Sequence, residues 1–164
     1  MSLAKIYIDS AIKRLEGYKI LGEKTFEQLN EADFHYAPNQ ESNSIAIIIQ
    51  HLSGNMLSRW TNFLTEDGEK QWRQRDDEFE LHDQSAKQLL DIWEKGWVCM
   101  FQALTSLEED DLIKPISIRN ESMSAIDAIN GQLAHYPYHI GQIIYIGKSI
   151  KNEGWKNLSV PRKR

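Results

Sequence analysis

Cysteine is almost absent from this chain, in which Cys99 is the single example among 164 residues. No disulfide can therefore form within the chain, which is typical of proteins from a reducing compartment such as the cytoplasm. Cys99 flanks the apolar stripe of a predicted helix. We expect it to be a structural thiol rather than a nucleophile or a metal ligand.

Long apolar runs and an excess of positive charge are missing too. No stretch approaches the ~18 apolar residues of a membrane span, and Lys5, Asp9 and Lys13 interrupt the region where a signal peptide would be apolar. The net charge of −5 argues against nucleic-acid binding. The basic run at residues 161–164 is expected to be a solvated tail. We therefore predict a cytoplasmic protein with a small-molecule substrate and no membrane or nucleic-acid partner.

Apolar residues recur at steps of three and four in four segments, the spacing of helices with one buried face. The first runs from about residue 3 to 29, and the second from a cap within residues 42–44 to residue 64. The third begins at Ser85, which forms a capping pattern with Gln88, and reaches residue 107. The fourth begins at Ser124 and ends near Lys151. Residues 1–164 are thus predicted to form one all-α domain, a four-helix bundle.

The connections between these helices are long and differ in character. Residues 30–44 contain Pro38 and many polar residues, which predicts an irregular connection. Residues 65–83 are charged and show no apolar stripe, and we expect an ordered loop that buries Trp72 and Phe79. Residues 116–122 alternate briefly around a turn-like Asn-Glu pair, which predicts a small hairpin.

The motif HYPYH, residues 135–139, places two histidines one helical turn apart in the fourth predicted helix. At 100° per residue, His135 and His139 fall on its core side with Tyr136 and Ile143. Two imidazoles at this spacing can converge on one metal ion. The alternative is a pair of buried histidines whose nitrogens are satisfied by neighbouring residues.

Pro137 stands between these two histidines. It lacks a backbone N–H and clashes with the carbonyl four residues earlier. The helix is therefore expected to kink or become irregular at this point, or to begin only after it. Alanine would suit a helix without function better, so the proline favours a functional site.

A third ligand is needed to hold a metal ion well. His35 lies in a connection and His82 in the charged loop, whereas His51 lies on the second predicted helix at the edge of its stripe. A buried imidazole needs a partner, and the fourth helix offers one for His51. Ferritin-like di-iron sites are excluded because no histidine follows a glutamate by three residues, and zincins because Tyr136 follows the first histidine.

Two segments, SIAIIIQHLSGNMLSRW and the later AHYPYHIGQIIYIGK, resemble the DinB/YfiT-like superfamily, and the resemblance covers nearly the whole chain. It implies a four-helix bundle with two crossover connections and one divalent metal site held by His51, His135 and His139. Three imidazoles suit zinc or nickel first, with iron, copper and manganese as alternatives. The RQRDDEF loop and the WKNLSVP segment indicate an uncharacterised branch.

Characterised members of that superfamily include thiol-dependent transferases and isomerases. The resemblance therefore implies a metal-dependent transferase that acts with a low-molecular-weight thiol. Two alternatives stay open: a metal-dependent hydrolase, and a non-catalytic binding or structural protein in which the ion only staples the helices. No glutamate or aspartate accompanies the predicted ligands at suitable spacing on their helices, which argues against hydrolysis. We assign no catalytic residue.

Three further side chains are candidates for the surroundings of the ion. Gln142, three residues after His139, can orient an imidazole or bind water, and Asn55 lies one turn after His51. Arg59, two turns after His51, either binds a substrate carboxylate or forms an ion pair on the surface.

A homodimer is expected from the resemblance and from the fourth predicted helix. Its apolar residues cover more than half of its circumference, because the angular positions of Ile126, Leu133 and Ile144 around the helix axis are far from that of Ile146. A partner subunit can cover this excess. The alternative is cover from within the chain, for example by residues 65–83.

Overall fold

A computed structural model describes residues 2–160 of the chain. Within them, five α-helices and one two-stranded hairpin follow in the order α1 (Leu3–Phe26), α2 (Glu31–His35), α3 (Ile45–Trp60), α4 (Ala86–Thr105), β1 (Pro115–Ile118), β2 (Glu121–Ser124) and α5 (Ala125–Lys151). Short 3₁₀ turns occupy Asp77–Phe79, Glu109–Ile113 and Asn152–Gly154. The described chain is mainly helical, as the periodicity predicts. The basic run at 161–164 lies outside the described residues.

Serine side chains cap all four long helices, and three of these caps were predicted. The hydroxyl of Ser44 accepts a hydrogen bond from the backbone N–H of Ile47, which selects this residue among 42–44. Ser85 and Gln88 form the reciprocal capping box at the start of α4. Ser124 accepts from the backbone N–H of Asp127 and begins α5 directly after the hairpin.

The helix ends and one connection differ from the prediction. α1 ends at Phe26, α3 at Trp60 and α4 at Thr105, each two to four residues early. Residues 31–35, predicted to be irregular, form α2, because Asn30 and Asp33 make a capping box that stabilises a single turn.

The core lies between the four long helices, where α3 packs against α4 and α1 packs against α5. Its largest fully buried side chains come from all four helices: Leu15, Ile48, Met56, Trp60, Trp97, Met100 and Tyr136. On the far side of α5, the Tyr7 hydroxyl of α1 donates to Asn130 Oδ1 at 2.7 Å. Three apolar residues of α5 are half-buried against the core within the chain, namely Ile126, Leu133 and Ile144. None of the helices in the described range combines the length and apolar character of a membrane span.

Pro137 lies inside α5, which continues as one α-helix from Ala125 to Lys151. The predicted alternative, a helix that begins after the proline, is therefore wrong. Because the helix is continuous, His135 and His139 keep the one-turn spacing that lets both side chains point to one place.

The predicted hairpin is present and holds the long connection after α3 in place. β1 and β2 pair antiparallel through a two-residue turn at Arg119 and Asn120, both with positive φ. The Asp67 carboxylate accepts hydrogen bonds from the Ser117 hydroxyl and from the backbone N–H groups of both turn residues. The hydrogen bond from Ser117 is the main cause that holds the pKa of Asp67 far below its usual range. Asp67 thus ties residues 61–85 to the hairpin.

Candidate metal centre

Three histidines from two helices converge at one point. His51 comes from α3, and His135 and His139 come from successive turns of α5. His135 Nε2 lies 3.1 Å from His139 Nε2 and 3.4 Å from His51 Nε2. Each ring can offer one ligand atom, and these three atoms lie within 4.8 Å of one another. The resemblance implied these residues, and the fold brings them together although 84 residues separate His51 from His135.

The outer nitrogen of each imidazole faces a side-chain oxygen. The acceptors are Glu78 Oε2 at 3.0 Å from His51 Nδ1, Gln132 Oε1 at 3.1 Å from His135 Nδ1, and Gln142 Oε1 at 2.7 Å from His139 Nδ1. An oxygen at Nδ1 keeps the ring proton there and leaves the Nε2 lone pair free. Such outer partners fix the orientation of metal-binding histidines.

Three Nε2 lone pairs that face one another repel unless a cation lies between them. Burial is the main cause that lowers the pKa of His135 to about 4, and the charges of His139 and His51 contribute to this shift. Burial also lowers the pKa of His139. Both rings are therefore neutral near pH 7, which is the form that binds metal ions. The buried three-histidine group can hold a divalent ion, and its donor set fits zinc or another first-row metal.

Glu78, which holds His51, is itself held by Arg73. Arg73 Nε donates to Glu78 Oε1 at 2.7 Å and Nη2 donates to Oε2 at 2.8 Å, a bidentate pair. Both side chains are nearly enclosed, with 2% of Arg73 and 9% of Glu78 exposed. Burial raises the pKa of Glu78. The hydrogen bonds from Arg73 and His51 outweigh this effect and hold the pKa below its ordinary value. Glu78 is thus a buried carboxylate that polarises His51.

Residues 65–83 contribute to the site through charged residues and through one of the two predicted anchors, Phe79. Trp72 is 55% exposed, contrary to the prediction. Phe79 is half-buried, and its ring lies 4.9 Å from that of His51. The close approach of Glu78 to α3 and His51 also depends on Gly54 of α3. An added Cβ at this position would lie 2.1 Å from Glu78 Oε1. A side chain at position 54 would displace the carboxylate.

The three other predicted site residues lie in different surroundings. Gln142 contacts His139 as described, and its amide donates to the Tyr138 hydroxyl. Asn55 forms no hydrogen bond with the three histidines; its Oδ1 accepts from the Tyr136 hydroxyl at 3.0 Å. Arg59 is buried and forms no ion pair within residues 2–160, so the predicted surface ion pair is wrong.

The remaining histidines and the cysteine lie outside the group. His35 Nε2 contacts the backbone carbonyl of Gln84 at 2.8 Å, and His82 lies near Asp77. Cys99 is half-buried with Sγ 3.6 Å from the Thr61 hydroxyl. Gln132 and Glu78 are the contacts that sequence reasoning missed. A glutamine three residues from His135, the same separation as Gln142 from His139, was the available signal for Gln132.

Comparison with known proteins gives a family and no function. No curated protein matches the chain. The family model described as "Protein of unknown function (DUF1572)" matches residues 2–164, nearly the entire sequence. The chain therefore belongs to the DUF1572 family, a DinB/YfiT-like family.

Proposed function

We propose that this protein is a metal-dependent transferase that binds one divalent ion through His51, His135 and His139 and acts with a low-molecular-weight thiol. The observation that carries the proposal is the set of three inward Nε2 atoms, each fixed by an oxygen at Nδ1. Three protein ligands leave a coordination position for a small molecule, as in catalytic sites. When bound, the ion would supply a deprotonated, nucleophilic form of the thiol at neutral pH.

The surroundings of the histidines favour thiol chemistry over hydrolysis. Hydrolysis calls for a group that removes a proton from water, and Glu78 is the carboxylate in contact with the ligands. Both of its oxygens accept from Arg73, and one also faces His51. With its pKa held low, Glu78 is a poor proton acceptor. A thiol is acidic enough to need no such base.

Thiol binding is tested on the cobalt-substituted protein. One equivalent of Co²⁺ should bind, and addition of a small thiol such as 2-mercaptoethanol should produce a sulfur-to-cobalt charge-transfer band that saturates at one equivalent. Ethylene glycol, which lacks sulfur, is the matched control. If Co²⁺ binds and no thiol changes its spectrum, the transferase proposal is wrong, and an ion that only staples α3 to α5 becomes the better explanation.

We extend the proposal to the architecture and the location. The four long helices are interpreted as the DinB/YfiT-like four-helix bundle, whose long connections carry the hairpin and the Glu78 segment. A cytoplasmic location suits the activity, because small thiols stay reduced there.

A homodimer remains part of the proposal, with the exposed tyrosines of α5 as its contact. Tyr138 and Tyr145 are seven residues apart on one side of α5 and are 61% and 73% exposed. Tyr145→Glu should therefore convert a dimer to a folded monomer in sedimentation equilibrium, because the charge would be buried in the contact. Ile20→Glu, at an exposed apolar position of α1, is the control. A wild-type monomer at micromolar concentration would contradict the proposal.

A further inference from the structure

Arg59 is a buried cation whose hydrogen-bonding capacity is unused within residues 2–160. It lies on α3, eight residues after His51, and only 6% of the residue is exposed. Its Nε and Nη1 atoms are shielded from solvent and contact no acceptor. A buried donor without an acceptor, and a buried charge without a counter-charge, both destabilise a folded protein. An anion from outside the chain would relieve both costs.

The chain covers the Nε and Nη1 atoms of this guanidinium. A Cβ added at Gly68 would lie 3.1 Å from Arg59 Cδ, 3.1 Å from Nη1 and 3.1 Å from the Ile118 side chain. Gly68 is held from both sides, because its carbonyl accepts from Ser58 and its N–H donates to the Ser117 carbonyl. The connection and the hairpin thus form a fixed cover over Arg59.

The nearby carboxylates are already paired with other arginines. Arg73 engages both oxygens of Glu78. Glu69 is shared between Arg73 Nη1 and Arg119 Nε, each at 3.3 Å. Burial lowers the pKa of Arg59; Tyr136 and the Glu69 carboxylate oppose this effect, and the charges of Arg73 and Arg119 add to it. Because Glu69 is shared with two other arginines, it balances the positive charge of Arg59 only in part.

Arg59 lies on the same side of α3 as the metal centre. Positions 51, 55 and 59 follow one another at four-residue steps, so they share a face, and Arg59 starts about 12 Å along the axis from His51. Helical side chains lean toward the N-terminus, which is the direction of His51. A divalent ion on three neutral imidazoles would increase the excess of positive charge.

We propose that Arg59 binds the carboxylate of the small ligand that occupies the metal centre, so that the substrates or cofactors are carboxylate-bearing thiols. This inference rests on the proposed function and adds the chemical class of the ligand. One unpaired guanidinium matches the single charge of a carboxylate and binds it through parallel hydrogen bonds. The carboxylate of the ligand would neutralise Arg59, and its thiolate would neutralise part of the charge of the ion.

The test compares two thiols on the cobalt-loaded protein. Affinity is read from the charge-transfer band for 3-mercaptopropionate and for 2-mercaptoethanol, which carries a hydroxyl in place of the carboxylate. The wild-type protein should bind 3-mercaptopropionate about 10- to 100-fold more tightly, the range of a hydrogen bond to a charged group. Arg59→Met should lose this preference and keep its affinity for Co²⁺. Arg59→Lys keeps the charge and should lose only part of the preference.

Controls separate this inference from the function on which it rests. Arg14→Met, at an exposed arginine of α1, should behave as wild type. Equal affinity for the two thiols in the wild-type protein, or an unchanged preference in Arg59→Met, overturns the role of Arg59 and leaves the thiol proposal intact. A cobalt spectrum that neither thiol changes contradicts the thiol proposal instead.

The melting temperature gives a second test of the role of Arg59 if neither thiol changes the cobalt spectrum. Acetate should then raise the melting temperature of the metal-loaded wild-type protein and have no effect on Arg59→Met. Stabilisation by inorganic phosphate alone would overturn the carboxylate assignment. Without any ligand, Arg59→Met should melt above the wild type, because the substitution removes an unpaired buried charge.

Discussion

Replacing His135 with alanine is expected to abolish stoichiometric binding of a divalent ion. His135 is the central member of the group, since its Nε2 lies within 3.4 Å of both partners. Loss of an outer partner of a metal ligand costs about 10- to 100-fold in affinity, and loss of a ligand should exceed this. The helix tolerates the change, because alanine favours helices. Elemental analysis of untagged protein and calorimetric titration with Zn²⁺ provide the measurement.

The matched control for this substitution is His82→Ala. His82 forms a hydrogen bond with the backbone carbonyl of Asp77 and is more exposed than His51 and His139. Its removal should leave the metal content at one equivalent. A His135→Ala protein that retains one equivalent of metal would show that the ion, if any, binds elsewhere.

Glu78→Ala is expected to lower the free energy of unfolding by about 3–5 kcal/mol, the cost of breaking a buried ion pair. The substitution leaves Arg73 enclosed, with 2% of its side chain exposed, and removes both oxygens of its bidentate partner. It also removes the acceptor at His51 Nδ1, so metal affinity should fall about 10- to 100-fold. Urea denaturation of the metal-free protein measures the first effect, and Zn²⁺ titration measures the second.

Two further variants show whether the lost stability comes from Arg73, which would keep only its longer contact with Glu69. In Arg73→Met combined with Glu78→Met, neither charge of this pair is left buried, so much of the stability should return. The exposed pair Lys87–Asp91 is the control, and Asp91→Ala should change stability by less than about 1 kcal/mol. If Glu78→Ala lowers the free energy of unfolding by less than about 1 kcal/mol, Arg73 and Glu78 are not a buried pair that the fold requires.

Local sequence patterns predicted the long helices, because each is determined by its own stripe and cap. Ser44, Ser85 and Ser124 all cap the helices they were predicted to begin. The hairpin was also found, since its turn and alternation are local. α2 was missed although Asn30 and Asp33 carry a capping box, because five residues are too few to show a helical period.

The site was predictable only where its residues lie on a helix. The spacing of His135 and His139 was sufficient to place both on the core side. The position of His51 on the second predicted helix made it the candidate third ligand, and the family resemblance implied the same residue. The burial of Arg73 and Glu78 could not be read from a charged stretch, since each is buried only through the other and through His51. Arg59 was expected at the surface for the same reason. Its cover comes from Gly68 and the hairpin, which are distant or irregular in the sequence.

The 84-residue separation of His51 and His135 has a consequence for the order of folding. Contacts between residues so far apart along a chain form only after the intervening loop has closed. The three imidazoles therefore meet late, when α3 and α5 have already docked. An ion that binds such a late-formed site stabilises the native state more than the transition state for folding. It should accordingly slow the unfolding of the protein while leaving its folding rate almost unchanged.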